Sequence, residues 1–224
     1  DIRSVYDLDG GFSDFMNPGL PGINSIADFS DPAQVTPDQR RVRFLRITKG
    51  VLIPDEDGRG ISGAQFGRAA NFGMREIVGY VPVEPDGSVR ARVPADAPLG
   101  LQLVDADGKA VFSRHGAWLN LRPGETLQCQ GCHRTNNPQP HGRTDGMAPS
   151  IHDGAPVTGQ PFPNSRADVV PFADAGETMA QALARFLPDS EWPAINMQAF
   201  DAWSGPSPPP SGLPLPRCLH SALS

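Results

Sequence analysis

The sequence predicts a mainly β fold: a small antiparallel β-sandwich with long irregular segments and one or two short helices. Three observations lead to it. There are 24 glycines and 25 prolines in 224 residues, roughly twice the usual share of about 12%, and they interrupt the chain too often for long helices. Four short segments of alternating apolar residues lie within 76–122, separated by turn signals. Helical periodicity shows clearly only at 175–188.

Residues 1–40, rich in Gly, Asp and Pro, read as an irregular N-terminal segment, with DPAQVTPDQR (31–40) as the loop that enters the sheet. In RVRFLRITKGVLIP (41–54), Val42, Phe44 and Arg46 fall on one face and Leu45 and Ile47 on the other, which is the period of a strand. DEDGRGISGAQ (55–65) is a turn-rich loop. EIVGYVPVE (76–84) is a strand that ends at Pro85-Asp86-Gly87. SVRARVP (88–94) follows, with Val89, Ala91 and Val93 alternating against Arg90 and Arg92. Asp-Gly between two alternating segments predicts a hairpin, because glycine tolerates the positive φ of a tight turn. LGLQLVD (99–105) sets Leu99, Leu101 and Leu103 on one face. Asp107-Gly108 then turns the chain into KAVFSRHGAWLNL (109–121), the fourth strand of an antiparallel sheet.

These strands give a β-sandwich domain over 41–133. Residues 134–204 read as an irregular covering segment with one helix, AGETMAQALARFLP (175–188). Met179, Leu183, Phe186 and Leu187 share one helical face there, and Pro188 stops the helix. Residues 205–224 form a Pro-rich tail, extended and semi-rigid, that contains Cys218 as a lone cysteine. No internal repeat is visible.

Charge narrows the partners. The net charge is -6, and only Arg40, Arg41 and Arg43 cluster. They read as a solvated strand edge, far short of the basic stripe that nucleic acid requires. No run of 18 apolar residues exists, so no spanning helix is expected. DIRSVYDLDG has no charged start followed by an apolar run, so a signal peptide is either absent or precedes these residues. Three cysteines do not make a disulfide scaffold.

Two of those cysteines stand in TLQCQGCHRT (126–135), as Cys129-Gln130-Gly131-Cys132-His133. C-x-x-C-H has three readings. In the first, each thiol adds across one vinyl group of a porphyrin and His133 ligates the iron, so that all three side chains have a separate task. Gly131 suits the tight turn between the thiols. Zinc, the second reading, needs four ligands. Cys129, Cys132 and His133 supply three at most, with His141 eight residues on, and an adjacent Cys and His do not readily bind one tetrahedral ion. The third reading is a disulfide, although a redox pair usually opens a helix in a βαβ unit, which this region does not resemble.

With haem c, the sixth ligand separates electron transfer from small-molecule chemistry. The candidates are His141, Met147, His152, His115 and His220. His141 is the nearest, in PQPHGRT, and Met147 ranks second. His115 falls mid-strand beside Arg114 and reads as structural. No paired-carboxylate or Ser-His-Asp spacing stands out.

Several segments together resemble one family. DIRSVYDLDG, RRVRFLRI, FGRAANFGMREIVGYVPVEPDGSVRARVPADAPLGLQLVDADGKAV and WLNLRPGETLQCQGCHR are similar to bacterial proteins of the hydrazine synthase alpha-subunit type. HGR (141–143), FPN (162–164) and VVPFADAGETMAQALAR (169–185) fit as well, so the resemblance covers roughly residues 1–200. It implies an exported, periplasmic or extracellular domain with one haem c on Cys129 and Cys132. A β-propeller often precedes that domain, and none is found in these residues. For the hydrazine-forming members it further implies a tyrosine shortly after the motif as iron ligand, with the motif histidine turned to zinc. Here the last tyrosine is Tyr80 and Asn137 stands in that stretch, so ordinary ligation by His133 is expected. The tail from 205 on is unlike the family.

The leading expectation is thus a c-type cytochrome domain serving a redox partner protein, or small-molecule redox chemistry as part of a larger oxidoreductase. The alternative is a non-enzymatic β-sandwich binding module with zinc or a disulfide at Cys129 and Cys132.

Overall fold

The structure, a computed structural model, describes residues 1–12, 19–51, 74–112, 114–133, 150–160, 162 and 172–197. Its elements in chain order are β1 (Asp7–Leu8), β2 (Gly11–Phe12), α1 (Ile26–Ser30), β3 (Phe44–Val51), β4 (Met74–Pro82), β5 (Leu99–Val104) and α2 (Met179–Phe186), with short 3₁₀ turns at Pro37–Gln39 and Pro188–Glu191. The mainly β class is as expected. The strands form two antiparallel sheets, a two-stranded ribbon β1-β2 and a three-stranded sheet β4-β3-β5, in a small sandwich-like arrangement.

β3 is central because both of its faces carry side chains that pack. Leu45 and Ile47 enter the main core, and Phe44 is buried on the opposite face. The register runs Phe44↔Pro82 to Val51↔Met74 on one side and Phe44↔Val104 to Lys49↔Leu99 on the other. A bulge shifts the β3–β4 register between Ile47 and Thr48, opposite Gly79. Gly79 has φ +156°, and a Cβ there would stand 2.7 Å from Pro193 Cβ and 2.9 Å from Ala194 O. The close approach has a purpose: Tyr80 and Ala194 exchange backbone hydrogen bonds of 2.8 and 2.9 Å, which cover the outer edge of β4.

Two predicted strands are corrected. Residues 88–94 do not return along β4. The Asp86-Gly87 turn forms, with Gly87 at φ +80°. Beyond it, Val89 pairs with Ile2 through hydrogen bonds of 2.7 and 3.0 Å, and the Arg92 amide donates to Glu191 O. Residues 109–121 follow the edge of β5 without forming a continuous strand. The amides of Val111, His115 and Leu119 donate to Leu103, Leu101 and Leu99, so the returning chain spends four residues for every two of β5. That slack bows the backbone out between successive bonds, and no regular ladder results.

The core draws Val5 and Tyr6 from the N-terminal segment, Phe29 from α1, Val35 and Val42 from the approach to the sheet, and Leu45, Ile47, Val81, Val89 and Leu99 from around it. Each such apolar side chain contributes about 1.5–3 kcal/mol on burial. Tyr6 meets Phe29 edge-on with ring centres 4.6 Å apart. Arg40, expected on a solvated edge, is buried, and its Nη1 donates to Val35 O at 3.2 Å. Arg43 donates to Pro37 O at 3.0 Å. The Pro-rich entry loop leaves carbonyls that need donors, and these guanidiniums supply them.

The second core gathers Ala155, Phe162, Ala173, Met179, Ala182 and Leu183 around α2. The helix is shorter than the predicted span, at Met179–Phe186, and its start is fully accounted for. The amides of Met179, Ala180 and Gln181 have no partner within the helix. They donate to Asp86 Oδ2 at 2.8 Å, Ser88 Oγ at 2.9 Å and Thr178 Oγ1 at 3.3 Å. Gln181 Oε1 accepts back from the Thr178 amide, closing a capping box. Thr178→Ala is expected to destabilise the protein by about 1–2 kcal/mol. The check is a lower urea midpoint at unchanged slope.

Among the described residues, no helix is long and apolar enough to cross a membrane.

Candidate functional site

Residues 129–133 leave the sandwich along the N-terminal segment, and pairing with that segment fixes the backbone of the motif. The Cys129 amide donates to Asp1 O and the Arg3 amide to Cys129 O, both at 2.8 Å. Three residues on, the Cys132 amide donates to Asp7 O at 2.7 Å, and the Asp9 amide to Cys132 O at 3.0 Å. Ile2 and Cys129, and Leu8 and Cys132, thus form parallel bridges. Each cysteine is held by bonds on both sides of its own Cα, so the spacing of the two thiols is set by the fold.

Gly131 is needed here for a different reason than the turn alone. Its φ is not in the left-handed region. A Cβ at this position would lie 2.6 Å from Asp7 O, 2.7 Å from Asp7 Cβ and 2.8 Å from Asp7 Cγ. The motif passes directly over Asp7, and Asp7 cannot retreat. Its carboxylate is buried and accepts from the Gly10 amide, Ser150 Oγ and the Ile151 amide, each at 2.9 Å.

Cys129 and Cys132 are free cysteines, half-buried, with no disulfide joining them. Burial pushes the Cys129 thiol above its ordinary value. Cys132 is pushed up to about 12, by burial first and then by the negative charge of Cys129, Asp7 and Asp9. At neutral pH both are protonated thiols. Redox dithiols show the opposite, a lowered value that exposes a thiolate for exchange. Among the described residues, no three His, Cys, Asp or Glu side chains converge as a metal-ion site. His141, the fourth zinc ligand considered above, lies outside the described residues, as do Asn137, Met147, Cys218 and His220.

Two free thiols at C-x-x-C spacing, followed by an imidazole, match the donor set of a covalently attached haem. The residues present fit that group.

His133 is half-buried, and its ring centre lies 6.2 Å from that of His115, with the planes at 65°. The sequence reading set His115 aside as a mid-strand residue. It stands instead in the bowed chain beside β5, with its amide on Leu101 O at 3.0 Å and its Nδ1 on Ala117 O at 2.9 Å. Periodicity gives no signal for this placement.

His152, another sixth-ligand candidate, has both ring nitrogens engaged. Nε2 lies 2.7 Å from Asp86 Oδ2, and Nδ1 accepts from the Gly154 amide at 3.4 Å. It belongs to a buried cluster centred on Asp86. Oδ1 of Asp86 accepts from the Ser88 amide at 2.9 Å and from Ser88 Oγ at 2.6 Å, while Oδ2 takes His152 and the Met179 amide. Burial alone would raise the Asp86 carboxyl, but the hydrogen bonds from His152, Ser88 and the Met179 amide outweigh it and hold the value low. This cluster ties the sandwich to α2 and to residues 150–155. Nothing reaches it from solvent, since Asp86 and Ser88 are both buried. Sequence reading saw in Asp86 only a turn former.

Residues 41–134 match the family model for the hydrazine synthase alpha subunit middle domain. Hydrazine synthase subunit alpha of Kuenenia stuttgartiensis is 34% identical over 100 residues, which are 44% of this chain and 11% of that protein. The solved Kuenenia stuttgartiensis hydrazine synthase is similar at 23% identity with a TM-score of 0.39, covering 65% of this chain and 19% of that one. The chain thus spans about a tenth of the length of the curated relative it matches. The matched segment runs from the start of the sheet through Cys129, Cys132 and His133, and over residues 41–134 the chain is similar to the hydrazine synthase alpha subunit middle domain.

Proposed function

We propose that this chain is a c-type cytochrome domain carrying one haem, attached through Cys129 and Cys132 and ligated by His133. The observation that carries the reading is the motif itself: two unjoined thiols and an imidazole on a backbone held at both cysteines by residues 1–9. A haem bound there supplies a one-electron iron couple. The chain's own residues fix the spacing of the thiols, keep them protonated and half-buried, and place His133 immediately after the second. Electron exchange with a redox partner protein, in the periplasm or outside the cell, is the role this supports. Small-molecule redox chemistry within a larger oxidoreductase is the variant if the iron keeps an open position. The name of the Kuenenia relative describes hydrazine formation by that protein. With Tyr80 the last tyrosine here, the proposal does not extend to that reaction.

The test is expression of the chain in a host with a cytochrome maturation system. The purified protein is expected to show a Soret band, a pyridine haemochrome spectrum and the mass of one added haem. Cys129→Ser together with Cys132→Ser should abolish covalent attachment. A colourless protein without haem mass overturns the reading. One zinc per chain would then favour a zinc clip, and two oxidised thiols a disulfide.

A further inference from the structure

We infer that Asp7 tunes the potential of the proposed haem: its buried carboxylate, lying under the motif, favours the oxidised, more positive form and holds the potential below what the site would give without it. This rests on the haem reading above and adds to it the residue that biases the iron's hold on its electron.

Three observations converge on Asp7. The first is its place. The motif crosses it so closely that a Cβ at Gly131 would stand 2.7 Å from Asp7 Cβ and 2.8 Å from Asp7 Cγ. The next residue, Cys132, donates its amide to Asp7 O at 2.7 Å. Cys132 is the second attachment point in the haem reading, so the acid stands beside the link itself. Its negative charge is felt at the Cys132 thiol, as is that of Asp9.

The second is its hydrogen bonding. Oδ1 accepts from the Gly10 amide, and Oδ2 from Ser150 Oγ and the Ile151 amide. A backbone amide only donates. Ser150 Oγ accepts from the His152 amide at 3.1 Å, which leaves its own hydrogen for Asp7. Both oxygens thus face donors, the arrangement that suits a carboxylate and not the neutral acid. The third is the kind of partner. All three donors are neutral, and among the described residues no cation is paired with this buried side chain. A buried charge ordinarily has an opposite one beside it. Here oxidation supplies it. Loss of one electron to the redox partner protein adds one positive charge next to Asp7, while no bond forms or breaks and no proton moves. Away from bulk water such a pair of charges interacts far more strongly than in it, and burial and polar surroundings are the protein's levers on a haem potential.

The experiment is a spectroelectrochemical titration of the haem-loaded full chain. Asp7→Asn should keep the haem content and spin state of the parent and raise the midpoint potential. The equilibrium with a reference couple should shift at least about tenfold toward the reduced form, which is about 59 mV for one electron. Asp9→Asn removes a charge at an exposed position, where solvent and salt screen it, and should shift the equilibrium less than about threefold. Ser150→Ala keeps the charge and takes away one neutral donor, so the potential should fall. The opposite signs are the signature of a charge effect. A purely structural role would move Asp7→Asn and Ser150→Ala in the same direction, because both loosen the contact between residues 7 and 150. An Asp7→Asn potential that is lowered or unchanged overturns the inference, and so does an equal rise in Asp9→Asn. If Asp7→Asn fails to fold, Ser150→Ala decides the matter, and a raised or unchanged potential there overturns the inference. In all these cases the haem is still attached and the cytochrome reading stands. Absence of haem from the unaltered chain overturns both.

Discussion

Asp86→Ala is expected to lower the unfolding free energy by about 3–5 kcal/mol, the range for removing one partner of a buried, hydrogen-bonded charge. The substitution takes away four bonds at once: from the Ser88 amide, Ser88 Oγ, His152 Nε2 and the Met179 amide. Its consequences are uneven. Ser88 keeps a hydroxyl that still accepts from the Ala180 amide. The His152 ring and the first amide of α2 are left buried with no acceptor, and each unpaired donor costs about 1–3 kcal/mol. Residues 150–155 and α2 should therefore loosen before the three-stranded sheet does. Hydrogen exchange at Met179, Ala180 and Ala155 should accelerate by more than tenfold, with the amides of β3 changed little. Asp86→Asn should be destabilising too, because one end of its side chain turns into a donor facing donors. Stability within about 1 kcal/mol of the parent for Asp86→Ala would show that the cluster is not a joint.

The same carboxylate gives the expected pH dependence. Its folded value is held below the ordinary one, so its contribution is fully present above the unfolded value of about 3.9. It is lost as pH falls through the lower folded value, since the unfolded chain then binds the proton more readily. Unfolding free energy measured from pH 6 downward should decline below about pH 4. The decline should be shallower in Asp86→Asn, which has no carboxyl to protonate there.

Why this joint escaped the sequence is instructive. Pro85-Asp86-Gly87 is a turn signal, and the turn is present with Gly87 at positive φ. Local chemistry announces the turn. It does not announce that the acidic side chain will face a helix more than ninety residues later. The same limit explains the misplaced strands. Alternation of Val89, Ala91 and Val93 told correctly which side faces the core, since Val89 is buried and the other two pack against it. Period two identifies a face and leaves the partner open, and the partner is Ile2 rather than β4. Arg40 was misread because a charge is expected in water until a carbonyl is seen waiting for it. The motif, by contrast, was legible because all its parts are adjacent in sequence. His115 was not, because its relation to His133 exists only after the chain beside β5 has bowed.

Gly131→Val tests whether the backbone under the motif matters as much as its side chains. Even the first added carbon would sit 2.6 Å from Asp7 O, and the atoms it meets are backbone and the root of a side chain. Relief requires moving Asp7, yet Asp7 is tied through its carboxylate to Gly10, Ser150 and Ile151 and through its carbonyl to Cys132. Overpacking of this kind costs about 1–3 kcal/mol. Breaking the Cys132–Asp7 bond adds about 1 kcal/mol more. Gly131→Ala should show the lower part of that range and Gly131→Val the upper, whereas Gln128→Ala, at an exposed position just before the motif, should change little. The effect on the proposed cofactor should be larger than the effect on stability. Displacing Cys132 from Asp7 alters the separation of the two thiols, and both must meet their vinyl groups on one porphyrin. Covalent haem per chain should fall at least severalfold in Gly131→Val. The residual product should show a shifted haemochrome band, because a single thioether leaves one vinyl group intact. Full haem content with two thioethers in Gly131→Val would mean that maturation can reshape this segment, and that the pairing with residues 1–9 does not set the spacing.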